Sequence, residues 1–471
     1  MDGTLASTGP ADNAIRKARA TMPDIGDIAA NRLSAEQYQR HFDDVEPPLD
    51  RKRALVEASR CHFCYDAPCL EACPTGIDIP GFIRKIATDN VKGSAVTILE
   101  ENIMGGACAR VCPTEILCEQ ACVRTAQEGK PVDIGALQRY ATDWLFEHDI
   151  QPFTRAASTG KRIAIVGAGP AGLACAHRLA LLGHDTVVFD ARPKAGGLNE
   201  YGVAAYKVPH DFAQREVDFI LSLGGIDLRP GQALGRDVSL VQLRRDYDAV
   251  FIGTGLGGVN ALALDGETLP GVEDAVAYIE RLRQAADKSR LPIGRRVVVI
   301  GGGNTAIDIA VQAKRLGAED VTIAYRRGAD AMSATPHEQE FAQTNGVKIK
   351  HWARPVRLLS DGGRLSGVEC ESTTLDADGK LVGAGTRFAL PADMLFKAIG
   401  QTFVAAPVRD GGRELLDLRQ GRIVVDDAHR TSLPDVWAGG DCISGGQDLT
   451  VSAVQDGKRA AHAIDHFLRN A

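Results

Sequence analysis

The chain has 471 residues, 44% of them hydrophobic and 24% charged, with a formal net charge of −7. That is too long for a single hydrophobic core and predicts two or three domains. An acidic balance without long basic blocks speaks against nucleic acid as the main partner. No apolar run approaches the ~20 residues that cross a bilayer. The N-terminus, MDGTLASTGPADNAIRKARA, lacks an apolar signal core, so a cytoplasmic protein with no membrane partner is expected.

Residues 1–50 are polar and mixed, an extended arm with a helix or two. From 50 to about 150 the pattern is helical and thiol-rich. Of eleven cysteines, eight lie from Cys61 to Cys122, and only Cys175, Cys370 and Cys442 lie elsewhere. In a reducing compartment such crowding points to metal or redox chemistry and not to disulfides. The first group is C-x2-C-x4-C-x3-C-P (Cys61, Cys64, Cys69, Cys73, Pro74), and the second is C-x3-C-x5-C-x3-C (Cys108, Cys112, Cys118, Cys122), with Pro113 after Cys112. Several thiolates converging with a terminal Cys-Pro suit iron–sulfur clusters. Tetrahedral zinc is the alternative for any C-x2-C pair. The longer spacings, with nucleotide motifs downstream, favour iron–sulfur.

IQPFTRAASTGK (150–161) has linker composition. From Lys161 short apolar strands alternate with amphipathic helices, the pattern of a parallel α/β sheet. Two stretches share one plan, 161–192 and 295–327: a basic pair, a strand, a glycine turn, a helix and a second strand. In the first, Gly167, Gly169 and Gly172 form G-x-G-x-x-G, which admits a tight turn and brings a pyrophosphate close to a helix N-terminus. Asp190 ends the next strand, where a carboxylate can bind ribose hydroxyls. In the second, the turn is Gly301, Gly302, Gly303, Asn304 and Thr305. Its following strand ends in Arg326 and Arg327, which could pair with a 2′-phosphate. Two such units predict two dinucleotide sites.

The order GAGPAG, AGGLN (195–199), DAVFIGTGL (248–256) and DVWAGGDC (435–442) resembles the glutathione reductase and adrenodoxin reductase kind of flavoprotein. The resemblance implies an FAD site built from Gly167, Gly169, Pro170, Ala171, Gly172, Asp190, Gly197, Leu198, Lys207, Thr254, Gly255, Gly440, Asp441, Thr450 and Val451. It implies an NAD(P) site from Gly301, Gly303, Asn304, Thr305, Arg326, Arg327, Ala398 and Gly400. No C-x-x-C occurs in 161–471, so the redox dithiol of disulfide reductases is missing and electrons must leave the flavin another way. The expected fold is multidomain: an α-helical iron–sulfur domain (1–155), then two α/β Rossmann-like domains. These would be a discontinuous FAD-binding domain (156–290 and 395–471) and an NAD(P)-binding domain (291–394).

ASRCHFCYDAPCLEACPTGIDIPGFIRKIATDN, ARVCPTEILCEQAC and DIGALQRYA narrow the likeness. They resemble the N-terminal half of dihydropyrimidine dehydrogenase and, more distantly, the glutamate synthase small subunit. The resemblance implies two 4Fe–4S clusters, one on Cys61, Cys64, Cys69 and Cys122, the other on Cys73, Cys112, Cys118 and Gln138, leaving Cys108 spare. Spacing alone would choose Cys108 as a ligand. Asp190 stands where relatives often carry glutamate, Lys207 where they carry arginine, and Ser333 where a third basic residue would grip a 2′-phosphate, so the coenzyme stays NADH or NADPH. No FMN-bearing barrel follows within the 471 residues. The expectation is an electron-input subunit whose partner, holding FMN and iron–sulfur, interconverts uracil or thymine and the 5,6-dihydropyrimidines. The alternatives are a glutamate synthase small subunit or a freestanding ferredoxin-type reductase. No acid–base residue is assigned; His210 and His337 are candidates by type alone and read more simply as surface or packing histidines.

Overall fold

The computed structural model describes residues 28–410 and 413–470; the part of the arm before residue 28 lies outside the described residues. Helix α1 (Ala35–His41) opens with a capping box in which Ser34 and Gln37 satisfy each other's backbone N–H. Its Tyr38, and Phe42 beyond it, bury in the core of the distant second sheet. Tyr38 donates to the Leu316 carbonyl at 3.4 Å, and His41 Nδ1 lies 2.7 Å from the Arg315 carbonyl.

The thiol segment is a helical domain made of α2 (Arg51–Ala58), α3 (Ile79–Ala87), α4 (Val91–Glu101), α5 (Gly105–Val111) and α6 (Ile134–Glu147), with the thiols mostly in the loops between them. Asp50, Asp78, Asn90 and Asp133 cap four of these helices through side-chain oxygens, satisfying N–H groups that have no partner within the helix. Phe82, Ile83, Ile86, Ile98, Leu99, Leu137 and Leu145 form the core.

After the linker come β1 (Arg162–Val166), α7 (Pro170–Leu181), β2 (Asp185–Asp190), α8 (Phe212–Leu221), β3 (Ile226–Pro230) and β4 (Ala249–Ile252). The second unit adds β5 (Val272–Asp274), α9 (Ala275–Gln284), β6 (Arg296–Gly301), α10 (Asn304–Arg315), β7 (Asp320–Ala324), α11 (Pro336–Thr344) and β8 (Lys348–Lys350). An antiparallel meander, β9 (Ala353–Asp361), β10 (Arg364–Leu375) and β11 (Leu381–Pro391), precedes β12 (Met394–Ala398). Strand β13 (Val436–Ala438) and helix α12 (Thr450–Asn470) end the described chain.

The strands assemble into two parallel sheets, β13-β4-β1-β2-β3 and β5-β12-β6-β7-β8. The continuous apolar runs IAIV and VVVI form their centres because both faces of a parallel sheet are covered. The second sheet takes β5 from the 156–290 stretch and carries β12 past residue 394, because both hydrogen-bond along this sheet and not the first. The first sheet is completed only by β13, and α12 then lies against α7. That contact needs glycine at 457, since an added methyl there would overlap the Ala171 carbonyl and meet Cys175 N at 3.0 Å.

Gly457→Ala is therefore expected to push α12 off α7, at a cost of about 1–3 kcal/mol. Because Ala171 lies in the first turn of α7, flavin retention should fall too. Thermal unfolding and the visible flavin absorbance of the purified variant check both outcomes.

Candidate functional site

The first glycine turn joins β1 to α7 with little room to spare. Gly167 has φ +103°, and an added Cβ would overlap the Gly253 carbonyl; one on Gly172 would overlap the Gly167 carbonyl. A methyl on Gly197 would lie 2.7 Å from Gly169 Cα, so two loops approach through bare backbone. Asp190 shapes the turn: its carboxylate accepts N–H donors from Ala168 (2.7 Å) and Arg192 (2.8 Å). Burial raises its pKa, against the pull of those donors.

The turn faces a cavity of about 840 Å³, within the range that holds cofactors. Gly167, Gly169, Pro170, Ala171, Asp190, Gly197, Leu198, Lys207, Thr254, Gly255, Gly440, Asp441 and Thr450 line it. Gly172 and Val451 do not; both are buried behind that lining. Gly440 donates its N–H to Asp456 at 2.9 Å, fixing the second approach to the turn. Burial and the nearby Asp448 push the Asp441 carboxyl up to about 6. Asn199 is fully buried; its Oδ1 accepts from Thr450 at 3.1 Å while its Nδ2 has no partner. Bare backbone of two glycine loops and the half-buried Asp190 and Asp441 carboxyls on the cavity wall make a cradle suited to a polar dinucleotide cofactor such as FAD. Asn199 escaped the sequence reading, though AGGLN was in view, because nothing in that motif says the amide is buried.

The second turn places only Asn304 and Thr305 on the same cavity. Gly301 (φ +149°) packs on Ala398, and a Cβ on Gly303 would lie 3.1 Å from Ser333 Oγ. Gly400 (φ +97°) approaches the Asn260 side chain. Arg326 and Arg327 follow β7, exposed and without an ion pair among the described residues.

Lys207 links the two nucleotide units. Its ammonium reaches Asp308 of α10 at 2.9 Å and Glu338 of α11 at 2.5 Å, with the three side chains 8–17% exposed. Burial works to lower the ammonium's pKa, but the two carboxylate charges outweigh it and raise it. His337 lines the cavity beside Glu338; His210 is exposed and pairs with Asp43 at 3.1 Å.

The cavity continues to the helical domain, where Arg110, Cys112, Pro113 and Thr114 line it. Cys112 ends α5 in extended backbone (φ −65°, ψ 135°), because a residue before proline is driven out of the helical region. The thiols lie close enough to act on one another's charge: Cys118, raised first by burial and then by Glu119, also feels Cys73 and Cys69. Burial, then the Cys122 and Cys61 charges, push Cys69 up to about 12, and burial with Cys122 and Cys64 raises Cys61. Cys112 is raised by its hydrogen bond to Cys108, by burial, and by Cys118 and Cys73. Crowded buried thiolates repel one another unless a cation sits among them. Two runs of closely spaced thiols suit multi-iron clusters, each of which takes several thiolates. Gln138 is buried on α6 and donates its amide to the Gly105 carbonyl at the start of α5 at 2.7 Å, while Cys108 lies against Cys112.

Comparison with known proteins agrees with this layout. Residues 38–150 match the family model described as dihydropyrimidine dehydrogenase domain II, 4Fe–4S cluster, and residues 161–457 match that of pyridine nucleotide–disulphide oxidoreductase. The NAD-dependent dihydropyrimidine dehydrogenase subunit PreT of Salmonella typhimurium is 34% identical over 92% of this chain and 98% of its own. The glutamate synthase [NADPH] small chain of Escherichia coli is 34% identical over 91% of this chain and 94% of its own. Among solved structures, Mycobacterium tuberculosis FprA in complex with NADPH covers 66% of this chain and 85% of its own at a TM-score of 0.55 and 18% identity, a likeness of fold.

Lys207→Met strands two buried carboxylates between the nucleotide units. A loss of about 3–5 kcal/mol is expected. Calorimetry of the variant, with Asp308→Asn added to relieve one stranded charge, measures the loss and its partial rescue.

Proposed function

Because the chain belongs to the pyridine nucleotide–disulphide oxidoreductase family, joined here to a dihydropyrimidine dehydrogenase-type iron–sulfur domain, we propose that it is the electron-input subunit of a dihydropyrimidine dehydrogenase. The family is one of NAD(P)H-dependent flavin and iron–sulfur oxidoreductases. The carrying observation is the single cavity lined by the first glycine turn, by Asn304 and Thr305 of the second, and by Cys112. Hydride donor, flavin and first one-electron carrier would meet there without crossing bulk protein.

FAD, when bound, takes hydride from NAD(P)H, and the clusters accept electrons singly. The chain's own residues position and shield. Asp190 holds the Gly167–Gly169 turn open to the pyrophosphate, and Gly440, fixed by Asp456, brings Asp441 to the opposite side. Lys207, gripped by Asp308 and Glu338, keeps the second nucleotide unit against that cradle. Phe63 donates its N–H to Cys61 Sγ at 3.4 Å, and Cys73 Sγ lies 3.3 Å from Thr75 Oγ1; such hydrogen bonds tune a cluster's potential. Arg326 and Arg327 are the groups that could hold a 2′-phosphate, so the coenzyme is assigned as NAD(P)H.

The proposed clusters are two: Cys61, Cys64, Cys69 and Cys122 hold one, and Cys73, Cys112, Cys118 and Gln138 the other. The partner subunit would carry FMN and reduce uracil or thymine. The sequence likeness through DIGALQRYA, which contains Gln138, supports the pyrimidine reading. A glutamate synthase small subunit is the second reading, favoured by an equal 34% identity to that enzyme's small chain.

The test co-expresses the chain with the proteins encoded beside it, purifies the complex anaerobically and follows uracil-dependent and glutamine/2-oxoglutarate-dependent oxidation of NADH and NADPH. Uracil-dependent turnover is expected; glutamate formation in its place would overturn the pyrimidine assignment. For the ligand sets, Cys108→Ser should keep about eight irons per chain and Gln138→Leu should lose about half. The reverse would make Cys108 the ligand.

A further inference from the structure

Glu216 of α8 is 0% exposed, yet it is a carboxylic acid. Its Oε1 accepts the N–H groups of Gly106 and Ala107, each at 3.0 Å, in the first turn of α5. Its Oε2 is buried with no hydrogen-bond partner among the described residues. The approach depends on Gly106, where an added Cβ would meet the Phe212 ring at 2.5 Å and Glu216 itself at 3.1 Å. Helix α5 also carries Cys108 and Cys112, the latter about 8 Å further along the axis at 1.5 Å per residue. A carboxyl from the flavin-side domain is thus bonded to the helix that carries thiols of the second group.

The charged groups facing it are few. Arg110 of α5 commits its guanidinium to both oxygens of Asp143 on α6, at 2.7 and 2.8 Å, and lies over the Phe212 ring 3.6 Å from its centroid. Asp143 also accepts from Arg139 at 3.2 Å, and Arg139 pairs with Asp44. On the other side, α7 packs against α8 with Leu173 and Ala174, and Glu200 is taken by Lys194 and Gln214. Arg110 is thus the one cation close enough to act on Glu216, and it is shared with Asp143 and makes no ion pair with the Glu216 carboxylate among the described residues. Arg110, Arg139 and Asp44 all line the main cavity, so a run of charged groups extends from beside Glu216 to that cavity.

We propose that Glu216 is the redox-linked proton site of this electron path, taking up a proton when the cluster that includes Cys112, at the end of α5, is reduced and releasing it on reoxidation. The inference rests on the reading of that thiol as a cluster ligand. The balance is complete: NAD(P)H oxidised to NAD(P)⁺ yields two electrons and one proton, each electron reduces a cluster by one, and the proton converts the Glu216 carboxylate to the acid. Without the proton, each reduction would add negative charge near a buried carboxylate whose nearby cation, Arg110, is already shared with Asp143. Burial has already brought the Glu216 carboxyl up to about 7, against the pull of the Ala107 N–H and the Arg110 charge, so the group is poised to exchange a proton near neutral pH. By linkage, if reduction raises its proton affinity, protonation raises the cluster's potential equally.

The test uses anaerobically purified full-length protein with its iron and sulfide content measured first. Spectroscopically monitored redox titrations at pH 6, 7 and 8 should show the potential of one cluster falling as pH rises, and the Glu216→Gln variant should show a flat potential near the low-pH value. Infrared difference spectra of the wild-type protein should show a protonated-carboxyl band appearing on reduction, a readout that stands even if the variant does not fold. Iron-free protein would overturn the cluster reading, and this inference with it. Iron-loaded protein with a pH-independent potential, no carboxyl band, or a slope that survives in Glu216→Gln would overturn this inference alone.

Discussion

A lysine ammonium taken out of water must find opposite charge nearby, and Lys207 finds it only on the other nucleotide unit. Asp308 and Glu338 supply two carboxylates from separate helices, and neither could stay buried without the cation. The neighbouring backbone repeats the tie: Ala204 donates to Asp308 at 3.2 Å and Ala205 to Gln312 at 3.0 Å. Arg283 of α9 turns the other way and donates to carbonyls of Glu200, Val203 and Ala204. A third body enters through Glu115, which accepts from the N-cap hydroxyl of Thr335 at 2.6 Å. Helix α11 is thereby bound at its start to the thiol domain and one turn later to the flavin side. The shared cavity exists because these ties hold its three walls together.

Much of this was legible in the sequence because the signals were periodic or dense. The glycine turns lie between apolar strands whose fully buried pattern follows from a parallel sheet, and each turn's helix begins where the glycines end. The thiol spacings announced metal chemistry, and the likeness to a known family sorted them in an order that spacing alone did not give. Asn199, Glu216 and the Lys207 partners were not legible. Each depends on a contact between residues far apart in the chain, such as Gly106 with Glu216 or Lys207 with Glu338, and no local pattern encodes it. Strand β5 was missed for a related reason: Val-Glu-Asp is too short and polar to announce a strand, and its place follows from pairing with β12.

The two thiol groups differ in surroundings. The second group lies by the shared cavity, through Cys112, and beside the interface with α8. The first lies on loops with Tyr65, whose side chain is fully exposed, and with Phe63 in left-handed backbone (φ +52°) under the Arg84 guanidinium. One thiol group thus lies beside the shared cavity, and the other among residues that meet solvent.

The closing strand of the first sheet, β13, and the helix that seals α7 both come from the final part of the described chain. Domains tend to fold as they leave the ribosome, N-terminal parts first. The helical thiol domain is therefore synthesised long before the flavin cradle has its last wall, and α7 waits with its apolar side uncovered until Gly457 arrives. The cradle thus cannot close before the last helix has been made, whereas the core of the thiol domain draws, among the described residues, on nothing beyond α8.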